Sequence, residues 1–253
     1  MKRNEHKNDG STLEMIKSLV IAVLLAFVFR SFFFEPFYIP SGSMKSTMLI
    51  GDYVFVSKYS YGYSRYSFPF GLNIFEGRKL GLAPERGDVV VFKLPSDPSV
   101  NYIKRLVGLP GDKIQVKDNI LYINGKPLPR KRIKNFLDSD AKGNTQEIPQ
   151  YIETMPNGVS YIVMDQDPHG PLDNTDIYEV PEKHYFFMGD NRDNSQDSRV
   201  LTAVGYVPEE NLLGPARIIF FSSTAKLYEV WKWISGLRTE RFFKRVAYEG
   251  GNE

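Results

Sequence analysis

Three short stretches of the chain put reactive side chains at spacings that could do chemistry. In Ile39-Pro-Ser-Gly-Ser-Met44 two hydroxyls flank one glycine, so a tight turn would expose Ser43 and point Ser41 toward the same space. Taken alone, the stretch also reads as a Ser-Gly linker. In Asn101-Tyr-Ile-Lys-Arg-Leu-Val-Gly-Leu-Pro-Gly-Asp112, Lys104 and Arg105 are adjacent, and strand alternation sends them to opposite faces, one of them inward. A lysine in an apolar wall loses its charge readily because desolvation lowers its pKa, and a neutral amine is a competent base. A solvated edge-strand lysine is the plainer alternative. The third stretch, Gly189-Asp-Asn-Arg-Asp-Asn-Ser-Gln-Asp-Ser-Arg199, follows the aromatic Tyr185-Phe-Phe-Met188 and is dense in charged and amide side chains. Asp197 can pair there with Arg199 or Arg105, and short polar side chains can bond the backbone.

Other chemistries fit these residues poorly. A calcium loop starting at Asp190 meets Arg192 at its third position, and one starting at Asp193 has no glycine at its sixth and no closing glutamate. A Ser-His-Asp triad lacks the Gly-x-Ser-x-Gly elbow, and the histidines are His6, before the apolar run, His169 in a Pro-Gly turn, and His184 ahead of a strand. The chain has 0 cysteines, which removes disulfides, thiol nucleophiles and thiolate metal sites, and too few ligands remain for zinc. With 32 Lys plus Arg against 30 Asp plus Glu, the net charge of +2 gives no field that argues for nucleic acid. The 253 residues, 42% hydrophobic and 25% charged, can bury a core and exclude wholesale disorder or a polytopic membrane protein.

Elements must position these stretches. The run from Leu19 to Phe34 carries one charge, Arg30, and Ile16 extends it backward, which reads as one transmembrane helix whose arginine snorkels to the headgroups. A cleavable secretory signal is the rival, since Lys2, Arg3, Lys7 and Lys17 form a basic leader; a buried core helix is a third reading. Bulky Phe-Phe-Phe-Glu-Pro-Phe follows the run where a cleavage site would need small residues. Positive-inside logic keeps residues 1–17 cytoplasmic and sends everything after Glu35 across the membrane.

Beyond the anchor the periodicity becomes strand-like. Tyr53–Val56, Val89–Phe92, Tyr102–Ile103, Lys113–Lys117, Ile120–Ile123, Tyr161–Val163 and Ile218–Phe221 are short, β-branched or aromatic, and bounded by turns such as Asn124-Gly125. The 14% aromatic content agrees with a mostly β protein. Residues 126–182 are weakly periodic and read as an insertion. Near the end, Leu227, Val230, Trp231 and Ile234 fall at helical spacing before Arg238, Arg241, Lys244 and Arg245, which suggests an interfacial helix touching the bilayer.

Together the stretches resemble the bacterial type I signal peptidases, membrane-bound serine proteases with a Ser/Lys dyad. The resemblance rests on Pro40-Ser-Gly-Ser-Met44, Leu49-Ile-Gly-Asp52, Gly87-Asp-Val-Val-Val-Phe92, Tyr102-Ile-Lys-Arg105 with Gly108-Leu-Pro-Gly-Asp112, and Gly189–Arg199, in that order after an anchor. It implies Ser43 as nucleophile, Lys104 as general base, Ser41 assisting the oxyanion and Ser195 holding the lysine amine. Asp197 and Arg199, with Arg105, would brace the last loop. Phe37, Ile39, Pro40, Met44, Met48, Tyr102 and Ile103 would contact substrate. No cofactor or metal is implied. The implied partners are signal peptides of exported preproteins and the lipid bilayer, with contact to the translocation machinery left open. The implied location is the bacterial cytoplasmic membrane, single-pass, with the catalytic domain on its outer face.

The chain departs from the family where members often carry proline two residues after the Ser-Met pair; here Ser46 stands, which leaves the turn looser. The expected organisation is a cytoplasmic N-terminus and anchor over 1–36 and a signal-peptidase-type β catalytic core over 37–112 and 184–225. A β-rich insertion subdomain follows over 113–183, with an aromatic hairpin near 59–76 as a candidate addition to it, and an amphipathic basic segment over 226–253. Two alternatives share the anchor and strands: a related Ser/Lys peptidase acting on another membrane-proximal chain, and a tethered β-domain that only binds peptides. The latter has no need of Ser43 and Lys104 together.

Overall fold

The computed structural model describes residues 9–68, 76–139, 145–225, 229 and 234–246. The apolar run forms one helix, α1 (Asp9–Phe32). Its stretch Thr12–Phe32 has 21 residues, about 32 Å at ~1.5 Å per residue, which matches a hydrocarbon core of roughly 30 Å. Leu19, Leu24 and Leu25 stand out from it without protein cover. A helix apolar all round and uncovered by protein suits lipid. Pro36 biases Glu35 to extended backbone, so the chain leaves the helix as a strand.

That strand, β1 (Phe34–Tyr38), pairs antiparallel with β2 (Asp52–Ser57). β3 (Val89–Leu94) and β4 (Asp97–Gly108) form a hairpin with Val90 opposite Lys104. The chain then enters β5 (Lys113–Lys117), β6 (Ile120–Ile123) and β7 (Lys126–Pro127), a meander joined by two-residue turns. Asp118, Asn119, Asn124 and Gly125 all have positive φ there, as tight hairpin turns require. β8 (Arg130–Arg132), β9 (Phe136–Ser139), β10 (Thr145–Ile148), β11 (Gln150–Thr154), β12 (Ser160–Met164) and β13 (Tyr178–Glu179) follow. β8, β11 and β12 form one small sheet, β9 and β10 another, and β13 returns to β5. The span read as weakly periodic thus carries strands. Several, such as Arg130-Lys-Arg132, pair through their backbone and leave charged side chains such as Lys131 and Arg132 outside, so alternation is faint.

β14 (His184–Met188), β15 (Val207–Pro208) and β16 (Leu212–Ser222) return to the main sheet, whose order is β1-β2-β16-β3-β4-β14-β15, with β17 (Lys244–Arg245) on β16. Besides β17, β16 serves two neighbours in that order, β3 through Leu212–Pro215 and β2 through Ala216–Ser222. Gly214 makes the switch: its φ is +155°, and a Cβ there would lie 2.3 Å from the Ser57 carbonyl oxygen. The main sheet is covered on both faces. Ile39, Met44, Met48, Val91, Ile103 and Leu213 pack on one, and Val90, Phe92, Leu106, Tyr185 and Phe187 on the other.

Two expectations need correction. The aromatic segment after residue 59 joins the anchor, not the insertion: the Tyr63 hydroxyl donates to the Phe32 carbonyl at 2.9 Å, and the Phe32 ring meets Tyr63 and Phe68. Residues 69–75 lie outside the described residues. Of the C-terminal stripe, Leu227, Val230 and Trp231 also lie outside them, and Ile234 sits exposed in a turn. The following cations do not share a helical face. Arg241 pairs with the buried Asp52 at 2.6 Å, Arg238 donates to the Ile50 carbonyl at 2.6 Å, and Lys244 and Arg245 lie in β17. An unpaired buried carboxylate at Asp52 would be costly, so the basic residues close the core around it.

Candidate active site

Ser43 lies in the turn between β1 and β2 and is buried. The turn is held from several sides. Its Ser43 carbonyl accepts from the Asn191 N–H at 3.0 Å, and the Asn191 side-chain amide donates to the Gly42 carbonyl at 3.1 Å. The Ser46 hydroxyl donates to the Ile162 carbonyl of β12 at 2.7 Å. The turn that lacks the family proline is therefore fixed by a side-chain hydrogen bond rather than by a ring. Met44 and Met48 plug it into the core with no exposed surface.

β4 brings the partner. Lys104 Nζ donates to Ser43 Oγ at 2.6 Å and to the Ile103 carbonyl at 3.2 Å, and is 4% exposed. Burial lowers its pKa to about 8; the nearby carboxylates Asp197 and Asp190 pull the other way and lose. The Ser41 hydroxyl is 3.4 Å from that of Ser43. Among the described residues neither His169 nor His184 bonds to Ser43; His169 is exposed, and His184 Nδ1 sits 2.8 Å from the Glu182 carbonyl.

Both neighbouring cations on β4 face inward, where only one was expected. A sheet covered on both faces makes opposite faces equally interior. Arg105 is 2% exposed and grips Asp190 with two hydrogen bonds of 2.7 Å, while also donating to the Gly87 carbonyl and Thr47 hydroxyl. It therefore braces the start of the polar loop rather than Asp197. Asp197 is fully buried and takes two hydrogen bonds of 2.9 Å from Arg199 and one of 3.0 Å from the Gly189 N–H. Burial raises its pKa, but the Arg199 charge and these hydrogen bonds outweigh it and hold the carboxyl below its ordinary value. Ser195 differs from expectation too: its hydroxyl donates to Asp197 at 2.7 Å, and no hydrogen bond joins it to Lys104.

Sequence reasoning missed Gly189. A Cβ there would lie 2.2 Å from Ser195 Oγ and 2.7 Å from the Ser43 carbonyl oxygen, so the polar loop and the serine turn meet where only glycine fits. It also missed Asn191, Asp190 and Thr47. Each sits far in sequence from the group it holds, and no local pattern marks such a pairing.

The site opens onto two strand edges. Among the described residues β1 ends the main sheet, and β14 pairs with β4 only as far as Arg105, which leaves the edge of Tyr102–Lys104 unpaired by a strand. Phe37 is half-buried and Pro40 exposed beside it, and the Tyr102 hydroxyl donates to Gln196 at 3.1 Å. Ile103 is 8% exposed, whereas Ile39, Met44 and Met48 are at 1% or less. The last three support the groove from beneath.

Residues 12–221 match the family described as signal peptidase, peptidase S26. A signal peptidase I of Rickettsia prowazekii is 40% identical, with 97% of this chain and 98% of the relative covered. One from Rickettsia canadensis is 41% identical over 93% of this chain and 94% of the relative. A crystal structure of a signal peptidase I from Enterococcus faecalis is 28% identical, covers 53% of this chain and 97% of its own, and superposes with a TM-score of 0.31. The family match over most of the length, with near full-length relatives at this identity, establishes that the chain belongs to the signal peptidase family, peptidase S26.

Proposed function

We propose that this peptidase removes signal peptides from exported preproteins through a Ser43/Lys104 acyl-enzyme mechanism, anchored by α1 with its β domain on the outer face of the cytoplasmic membrane. The observation that carries the reading is a buried lysine amine 2.6 Å from a buried serine hydroxyl. An extended substrate segment adds along the free edges of β1 and β4 and brings its scissile carbonyl over Ser43. As Ser43 Oγ attacks, neutral Lys104 takes its proton. The Ser43 N–H and the Ser41 hydroxyl donate to the oxyanion that forms. Protonated Lys104 then gives its proton to the leaving amine, and an ester to Ser43 remains. Water deprotonated by Lys104 attacks that ester, and collapse, with Lys104 returning the proton to Ser43 Oγ, frees the signal peptide's carboxylate and restores Ser43 and neutral Lys104. Asp197, Arg199 and Ser195 hold the wall behind Gly189, and Arg105 with Asp190 fixes the loop that clamps Ser43. A substrate emerging beside the anchor also brings the translocation machinery within reach as a partner.

The test is cleavage of a preprotein by the full-length enzyme in detergent. Ser43→Ala and Lys104→Met should each abolish it, and the double variant should be little worse than either alone, because both disable one catalytic unit. Near-wild-type turnover by either single variant would sink the dyad.

A further inference from the structure

Where α1 meets the β domain there is a cavity of about 520 Å³ that shares Phe37 with the candidate substrate groove but is lined by neither Ser43 nor Lys104. Its lining combines Phe27 and Arg30 of the span with Lys58, Lys93, Glu35 and Phe68. Lys58 is 3% exposed; its amine pairs with Glu35 at 2.7 Å and donates to the Ser67 carbonyl at 2.8 Å. Arg30 takes the other oxygen of the same carboxylate at 2.6 Å. Among the described residues Lys93 has no ion pair, and Asp97 across the hairpin is engaged by the Ser99 N–H and hydroxyl. Three cations therefore line the cavity against one carboxylate, an excess of two positive charges. Arg30 and Lys93 are close enough that each depresses the Lys58 pKa, after the larger effect of burial.

Like charges gathered around empty space favour an anion between them. Depth says which kind. Three lining residues, Phe27, Arg30 and Ser31, belong to the last turns of the membrane-spanning helix, so the cavity lies at headgroup level, and Phe27 and Phe68 give it an apolar flank. We propose that this cavity holds the phosphate headgroup of an anionic membrane phospholipid, Lys58 and Lys93 taking the phosphate while the acyl chains run down past Phe27. The site ties the end of the anchor to the sheet and so fixes the height of the domain over the bilayer. It rests on α1 as a membrane span and is independent of the Ser43/Lys104 chemistry, so failure of one leaves the other standing.

The test is thermal unfolding of the full-length chain in non-ionic detergent, titrated with short-chain phosphatidylglycerol, phosphatidylcholine of the same chain length, or inorganic phosphate. Phosphatidylglycerol should raise Tm, with the other two giving little. Lys93→Gln breaks no ion pair and should fold, and it should shift the half-saturating phosphatidylglycerol concentration about tenfold. Lys126→Gln, the same charge loss on the exposed β7, should leave it unchanged. Equal shifts from phosphatidylcholine or inorganic phosphate would overturn the proposal, as would wild-type binding by Lys93→Gln or equal weakening by Lys126→Gln.

Discussion

At the scale of single residues, the protonation of Lys104 should govern activity. Its pKa is about 8 in the fold against an ordinary 10.5, and the base works only when neutral. Below about pH 8 each unit of acid therefore removes most of the remaining competent enzyme, and kcat/KM should rise with pH to a plateau above it. Lys104→Arg should be inactive at every pH, since a guanidinium stays protonated. The profile should be unchanged in His184→Ala and His169→Ala; an acidic limb near the ordinary histidine value of about 6.5 that vanished in either would move the assignment. Ser43 and Lys104 were singled out by the order of the motifs that carry the family resemblance; read alone, each stretch fitted a linker or a solvated strand edge as well. The role of Arg105 was not legible, because its choice of Asp190 over Asp197 depends on a pairing across 85 residues.

At the scale of elements, the serine turn and the polar loop are two irregular segments pressed together at Gly189. Gly189→Ala should cripple cleavage, because the added carbon must displace either Ser195 or the backbone that presents Ser43. The two nearest atoms both belong to the Ser195 side chain, so Gly189→Ala combined with Ser195→Gly should recover part of the activity; no recovery would place the damage at the Ser43 carbonyl alone. Ser46→Ala removes the tether to β12, a hydrogen bond worth about 1 kcal/mol, and should lower kcat several-fold with a small fall in Tm. Asp197→Ala belongs to a harsher class. It leaves the Arg199 guanidinium buried without its partner, at a cost of roughly 3–5 kcal/mol, and should unfold the loop or the protein. The strands of the main sheet were readable from alternation and β-branching, and so were β5, β6 and β12 of the insertion. Its other strands were not, since β8 and β10 carry polar residues on an outer surface, and their pairing is a backbone property that side-chain patterns do not record.

At the scale of the whole molecule, the sheet order decides what the enzyme can cut. Among the described residues β1 is an end strand and the outer edge of Tyr102–Lys104 has no strand partner, so a peptide laid between them meets two hydrogen-bonding edges and must be extended. In an extended peptide alternate side chains point the same way, so those at the first and third positions before the cut face the groove floor while the second faces out. That floor is shallow. Ile39, Met44 and Met48 fill the space beneath it to the point of having almost no exposed surface, and Ile103 has little. Alanine or glycine should therefore be accepted at the first and third positions and leucine or phenylalanine refused, while the second tolerates large residues. A positional peptide library measures this directly. Equal cleavage with phenylalanine at the first and third positions would refute the geometry, as would discrimination confined to the second. Excavating the floor should relax the restriction, but truncating a core isoleucine to alanine costs about 2–5 kcal/mol and risks the fold. Ile103→Val, which removes one methylene from the most exposed of the four, should widen tolerance at the third position with a modest fall in Tm.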